Sequence, residues 1–288
     1  MSEPPQSGKP PEHLSHSSRE TLERCAKSWF LKYIARAPQQ PAVWSVGGSA
    51  VHETTEHYDL MSMAGNADAF QLGFTWERLF DGQLAKLSEK EPEQSRWRRS
   101  RTDDVEAWRR MGPGLVQSYI DWRESARWEI WTTPDGEPAI ELDISGRLPG
   151  CPVEIKGILD RIFWDPMFKK LWILDLKTGK RAPSNADQFG VYRALAKEKY
   201  GVEINDGAAF MNRKGTLGKP YDLSAYTPEF VGAAFGEAWE QIQRSEFPAT
   251  GIQNRGCFIC EVSAACYAKG GPLAAYYDPD SPGFQPPL

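Results

Sequence analysis

No apolar run in the 288 residues approaches the ~20 that a membrane-spanning helix needs. The opening MSEPPQSGKPPEHLSHSS lacks the apolar block of a signal peptide, so the expected location is cytoplasmic. No Gly-x-x-x-x-Gly-Lys-Ser/Thr phosphate loop occurs, and GTLGKP at 215–220 does not fit one, which excludes a helicase motor. Neither sign of charge is in large excess: 34 Lys and Arg stand against 39 Asp and Glu, a net charge of −5. A polyanion partner must then be held by local basic patches, because the global field weakly repels phosphate. Cysteine is scarce and odd in number, at five. That excludes a disulfide scaffold, and in a reducing compartment clustered thiols are more readily metal ligands. What remains is an ordinary globular composition, 40% apolar and 25% charged, with length for one large domain or two small ones.

Residues 1–14, rich in Pro, Ser, Gln and Gly, read as a disordered leader. Ser17 and Glu20 form a capping box for a helix carrying Leu22, Cys25, Ala26, Trp29, Phe30, Tyr33 and Ile34 at helical spacing and ending before Pro38. A second helix is expected over 46–63, with His52 and Glu56 one turn apart, and further helical patterns over 68–88 and 102–126. From Arg127 the pattern turns to strands: RWEIWTT, PAIELDIS, VEIKGILDRIFW and KKLWILDLKTG, punctuated by Pro, Gly and Asp, read as a mixed or antiparallel sheet. Helix returns over 184–200, a strand over 207–212 and a helix over 228–245, before a cysteine-bearing segment and a Pro-rich tail from 271. With no repeat and no linker, 15–270 is expected to be a single α/β (α+β) domain with a helical region at about 64–126.

The richest segment for chemistry is GILDRIFWDPMFKKLWILDLKTGK at 157–180. Asp160 interrupts an apolar strand, Asp165-Pro166-Met167 supplies a turn, and the return strand carries Asp175 and Lys177 on one face with Trp172, Leu174 and Leu176 on the other. Carboxylates in a core cost several kcal/mol, roughly, unless they are paired or hold a cation. Asp160 and Asp175 suit a hard divalent ion such as Mg²⁺ or Mn²⁺, and Lys177 suits charge stabilisation beside it. A surface hairpin with a structural Asp–Lys pair is the bland reading of the same residues. HETTEH is no zincin motif, because His52 and His57 are five residues apart and diverge by ~140° around a helix.

Gly157-x-x-Asp160-Arg161 followed by Asp175-Leu176-Lys177-Thr178-Gly179 resembles the core of the PD-(D/E)XK nucleases in their RecB-type branch. Gly47-Gly48-Ser49-Ala50-Val51-His52 resembles that branch's Gly-rich start to a helix with a metal-ligating His, and Gln188 with Tyr192 matches its pair on the helix after the Lys strand. Leu159 stands where the family often has Pro, and Asp175 where it often has Glu. The resemblance implies a restriction-endonuclease-like central mixed sheet flanked by helices, with a helical N-terminal insertion. It implies His52, Asp160, Asp175 and the Leu176 carbonyl as Mg²⁺ or Mn²⁺ ligands, Lys177 as catalytic cation, and Gln188 and Tyr192 as contacts to DNA or supports of the site. Glu141 is a candidate extra carboxylate, with Asp143 and Glu154 equally eligible by sequence.

Cys257-x-x-Cys260-x-x-x-x-x-Cys266 is a three-thiolate cluster that Cys25 would complete. Four thiolates suit zinc or iron–sulfur by count. The chain is similar to AddB-like and CRISPR-associated exonucleases, in which one early and three late cysteines hold a [4Fe-4S] cluster, and this implies an iron–sulfur C-terminal segment. Cys151 fits no motif and reads as a free thiol. Arg96, Arg98, Arg99 and Arg101, then Arg109 and Arg110, flanked by Trp97 and Trp108, read as a solvated face or as the lining of a single-strand channel, while Lys180 and Arg181 are better placed for the substrate backbone. The resemblance implies a metal-dependent DNA exonuclease on ends or single strands, in recombination, repair or phage DNA processing, with a separate helicase or recombination partner conceivable. A catalytically silent nucleic-acid-binding accessory protein on the same fold is the alternative.

Overall fold

The chain's first element is β1 (His13–Ser15), whose Leu14 is buried and which runs parallel to β4 (Glu154–Lys156). The computed structural model describes residues 8–98, 103–253 and 256–285. The leader is therefore shorter than expected at its described end, and residues 1–7 lie outside the described residues. Because β1 delivers Ser15 in extended backbone, Ser15 and not Ser17 caps α1 (His16–Arg24), its Oγ accepting from the Ser18 N–H at 3.2 Å. The expected single helix also breaks, with Cys25 at φ −165° between α1 and α2 (Ala26–Tyr33).

Two compact units emerge. One comprises the chain up to Gln40, Ser145–Lys156 and everything from Pro228; the other comprises Pro41–Ile144 and Gly157–Thr227. The chain passes between the two units four times. The first unit holds β1, α1, α2, β4, α7 (Pro228–Gln243) and the short α8 (Ala274–Tyr277) in what reads as a Pro-rich tail.

The second unit opens with three helices, α3 (Val43–Met63), α4 (Leu72–Lys90) and α5 (Val105–Ser125), near the windows their periodicity gives. Its sheet contains β2 (Glu129–Ile130), β3 (Ile140–Asp143), β5 (Ile158–Asp165), β6 (Lys170–Lys177), β7 (Asp206–Met211), β8 (Thr216–Leu217) and β9 (Tyr221–Asp222). The segment VEIKGILDRIFW is two strands, not one, divided at Gly157, where a Cβ would sit 2.8 Å from Leu195 Cδ1. Asp165 Oδ1 accepts from the N–H groups of Met167 and Phe168 and closes the β5–β6 hairpin as an Asx turn. β5–β6 is antiparallel and β6–β7 parallel, joined by the crossover helix α6 (Asp187–Tyr200), so the sheet is mixed. Val46, Ala50 and Val51 of α3, Trp76 of α4 and Trp108 and Tyr119 of α5 pack with Phe163, Leu174 and Phe210 of the sheet into one core. The result is the mixed α/β sheet flanked by helices that the resemblance implies.

Candidate metal centre

The β5–β6 register pairs Arg161 with Leu174, so the next step along the hairpin sets Asp160 across from Asp175 on one face. Both carboxylates are buried, at 6% and 2% exposure. The opposite face carries Arg161, fully buried among the helices: its Nε donates to Asp59 Oδ2 at 2.7 Å, and Asp59 also accepts from Tyr119 (2.7 Å) and Arg123 (3.0 Å). From this buried cluster Arg161 Nη1 reaches Glu141 Oε1 at 3.2 Å. Asp59 and its partners are site supports that sequence reasoning missed. The available signal was a lone arginine in an apolar strand, which demands a buried acid.

Of the three upstream acids, Glu141 is the one that reaches the imidazole. Asp143 is exposed, and Glu154 belongs to the other unit. Glu141 has φ +46° inside β3, left-handed backbone that costs a non-glycine residue about 1–3 kcal/mol and that turns its carboxylate toward His52 and Arg161.

His52 reaches the same place from α3. Gly47 lets the helix pass Trp108, since a Cβ there would lie 2.0 Å from the indole. His52 Nε2 donates to the Leu176 carbonyl at 3.1 Å, which orients the ring and directs Nδ1 at Glu141 Oε1 (3.4 Å) and Asp160 Oδ2 (3.5 Å). The Leu176 carbonyl, read as a ligand, is engaged by the imidazole, while the Leu176 N–H donates to Asp160 at 2.7 Å. One ligand atom each from His52, Glu141 and Asp160 lie within 4.8 Å of one another.

The electrostatics of this cluster are those of negative charge in want of a cation. Burial alone would lower the His52 pKa, but Asp160, Glu141 and Asp175 overcome it and push the imidazole up to about 9. Burial lifts the Asp160 carboxyl to about 7, with Asp175 and Glu141 adding to the lift against the pull of His52. Burial and Glu141 also raise Glu56, one turn further along α3. Asp175 Oδ2 is buried and is ion-paired with the Lys177 ammonium at 2.7 Å. Lys177 donates to Gln188 Oε1 (3.0 Å), and Gln188 Nε2 to the Tyr192 hydroxyl (2.9 Å). The hard carboxylate oxygens of Glu141 and Asp160 and one imidazole nitrogen, with Asp175 beside them, form a donor set that fits Mg²⁺ or Mn²⁺.

The comparisons with known proteins agree with this geometry. A family model of the PD-(D/E)XK nuclease superfamily matches residues 13–267. The chain belongs to that superfamily. It is similar to the Gene 69 protein of Mycobacterium phage D29, 31% identical over 258 residues, and to the Gene 69 protein of Mycobacterium phage L5, 27% identical over 275 residues. Each match covers 84% of this chain and 92% of the relative. Membership implies a divalent-metal nuclease with DNA as substrate. No helix among the described residues is long and apolar enough to cross a membrane.

Other expected residues lie as follows. Lys180 and Arg181 are exposed just beyond the Lys177 strand. Trp97 and Trp108 are buried, at 5% and 1%, so neither lines a channel, because both indoles are spent on the helical core. Arg109 pairs with Glu77 and Asp81, and Arg96 with Glu91 and Glu93, as a solvated charge network. Arg99 and Arg101 lie outside the described residues. In the first unit, Cys25, Cys257, Cys260 and Cys266 line one cavity with Ser28 and Gly251. A Cβ on Gly251 would be 3.2 Å from Cys25 Sγ and 3.6 Å from Cys257 Sγ, and Cys260 Sγ is 3.4 Å from Ser28 Oγ. Cys151 is buried apart from them, its thiol donating to the Val153 carbonyl at 3.2 Å.

Proposed function

We propose that this chain is a metal-dependent DNA exonuclease of the RecB-type branch, acting on ends or single strands in recombination, repair or phage DNA processing. The observation that carries it is the meeting of His52, Glu141 and Asp160 beside Asp175 and Lys177, gathered from α3, β3, β5 and β6. In this reading His52 Nδ1, Glu141, Asp160 and Asp175 hold Mg²⁺ or Mn²⁺. The bound ion lowers the pKa of a water and neutralises phosphodiester charge. Lys177 Nζ, steadied by Gln188, faces the charge that builds on the phosphate, and Tyr192 orients Gln188 in turn. Lys180 and Arg181 meet the substrate backbone. Asp59, Arg161 and the Leu176 carbonyl keep Glu141 and the imidazole aimed.

We further propose a [4Fe-4S] cluster on Cys25, Cys257, Cys260 and Cys266, which line one cavity of the first unit. Four thiolates suit zinc or iron–sulfur by count, and zinc is the alternative occupant. Protein isolated without oxygen should be brown, with a broad band near ~400 nm; colourless protein with stoichiometric zinc would replace that assignment and leave the nuclease one standing.

The deciding assay is digestion of labelled single-stranded DNA with Mn²⁺ or Mg²⁺, with 5′- or 3′-blocked ends. Asp175→Ala and Lys177→Ala should each lower cleavage by ~10²-fold or more with the iron–sulfur absorbance intact. DNA binding by the wild-type chain without any cleavage would instead favour the silent accessory protein.

A further inference from the structure

We propose that Trp44, braced by Arg98, is a base-stacking subsite for single-stranded DNA on the approach to the metal centre; the proposal rests on the nuclease reading above. The expected single-strand channel relied on Trp97 and Trp108, which are buried, yet the chain does present an indole: Trp44 is 39% exposed at the start of α3. Trp44, Gly48 and His52 follow at four-residue steps, so they form one ladder along the accessible side of that helix. The ladder runs along the Lys177 strand end, because His52 Nε2 meets the Leu176 carbonyl at 3.1 Å and a Cβ on Gly48 would lie 3.4 Å from Thr178 Oγ1. Eight residues of helix place Trp44 about 12 Å along the axis from His52. That corresponds to roughly two to four nucleotides, the larger number for a strand stacked at ~3.4 Å per phosphate.

The ring is held ready. The Arg98 guanidinium lies 5.3 Å from the Trp44 ring centroid. Backbone bonds fix the two together, Arg98 N–H to the Pro41 carbonyl (2.8 Å) and Val43 N–H to the Arg98 carbonyl (3.0 Å). A rigid, braced indole offers a base a stacking face, which single-strand binders use without sequence preference. A duplex keeps its base faces covered, so the occupant is a single strand. Phe168, also exposed, sits at the β5–β6 turn seven residues from Asp175, roughly 20 Å away along the hairpin, and cannot serve the same nucleotide.

The test uses the full chain. Trp44→Ala should weaken binding of a fluorescein-labelled oligothymidylate, read by anisotropy without metal, on the order of tenfold, and raise KM for its cleavage far more than it lowers kcat. Trp44→Phe should restore most of the loss. In the wild type, an abasic nucleotide walked along the strand should reproduce the loss at one position two to four nucleotides from the cut, and the same abasic strand should cost Trp44→Ala nothing further. Equal binding and cleavage by wild type and Trp44→Ala, or abasic effects that add to the substitution, would overturn the subsite while leaving the nuclease standing. Wild-type binding that depends on Trp44 without any cleavage would keep the subsite and remove the nuclease. Should Trp44→Ala fold poorly, the abasic walk on the wild type decides alone.

Discussion

Arg161 is the residue on which the acidic centre leans. It is fully buried, and its charge is matched by Asp59 and Glu141. Removing one partner leaves the other charged and desolvated, a change that typically costs about 3–5 kcal/mol. Asp59→Asn and Arg161→Met are accordingly expected to lower urea stability by that amount, whereas loss of under ~1 kcal/mol would show the pair to be solvated. Glu141→Gln should cost less stability, since the side chain is partly solvent-exposed and Gln keeps an acceptor oxygen for Arg161, and should act chiefly on metal affinity. The imidazole carries its own signature. With a pKa of about 9 in the metal-free site, His52 is protonated at neutral pH, and Asp160, at about 7, is partly so. A ligand must shed its proton before it binds metal, so Mn²⁺ affinity should climb between pH 6 and 9 and binding near pH 7.5 should release protons. Calorimetry in two buffers of different ionisation heat reads that release; heats identical in both would exclude His52 and Asp160 as ligands.

At the scale of elements, glycines decide where helices can run. Gly47 of α3 lies against Trp108 and Gly112 of α5 against Trp76, each with room for no side chain. Gly47→Ala should therefore destabilise by about 1–3 kcal/mol through overpacking. Gly82 in α4 has nothing within 4 Å of its Cβ position, and Gly82→Ala should stabilise by about 0.5–1 kcal/mol. Thermal melts of the two variants should move in opposite directions. The α1–α2 break belongs to the same scale: periodicity runs unbroken from Leu22 to Ile34, yet Cys25 is extended and joins the later cysteines around their cavity. A heptad-like pattern cannot report a break that no glycine or proline marks.

For the whole molecule, the first unit gathers three distant pieces of chain with a modest core of its own. Lys27 is buried there against Asp278 (3.1 Å) and Asp280 (2.8 Å), tying α2 to the tail, and the cysteines converge beside it. If a cluster supplies folding energy, Cys266→Ser or loss of the metal should raise hydrogen exchange over 256–285 and α2 while β5, β6 and β7 stay protected. Uniform exchange across both units after that loss would show that the cysteines contribute nothing local.

The chain's own order of residues determined the helices of the second unit, the β5–β6 hairpin with its Asp turn, and the candidate site residues His52, Asp160, Asp175, Lys177, Gln188 and Tyr192. Those features are local: amphipathic periods, strand alternation and a turn residue that bonds its own backbone are written within a few positions. Only the tertiary structure decided that Glu141 rather than Asp143 or Glu154 turns to the imidazole, that Asp59 neutralises Arg161, that Trp97 and Trp108 are core while Trp44 is not, and which distant stretches gather into each compact unit. Each of these is a pairing across tens to a hundred residues, set by which buried charge finds a partner and which surface finds a cover, and a linear pattern carries no record of either.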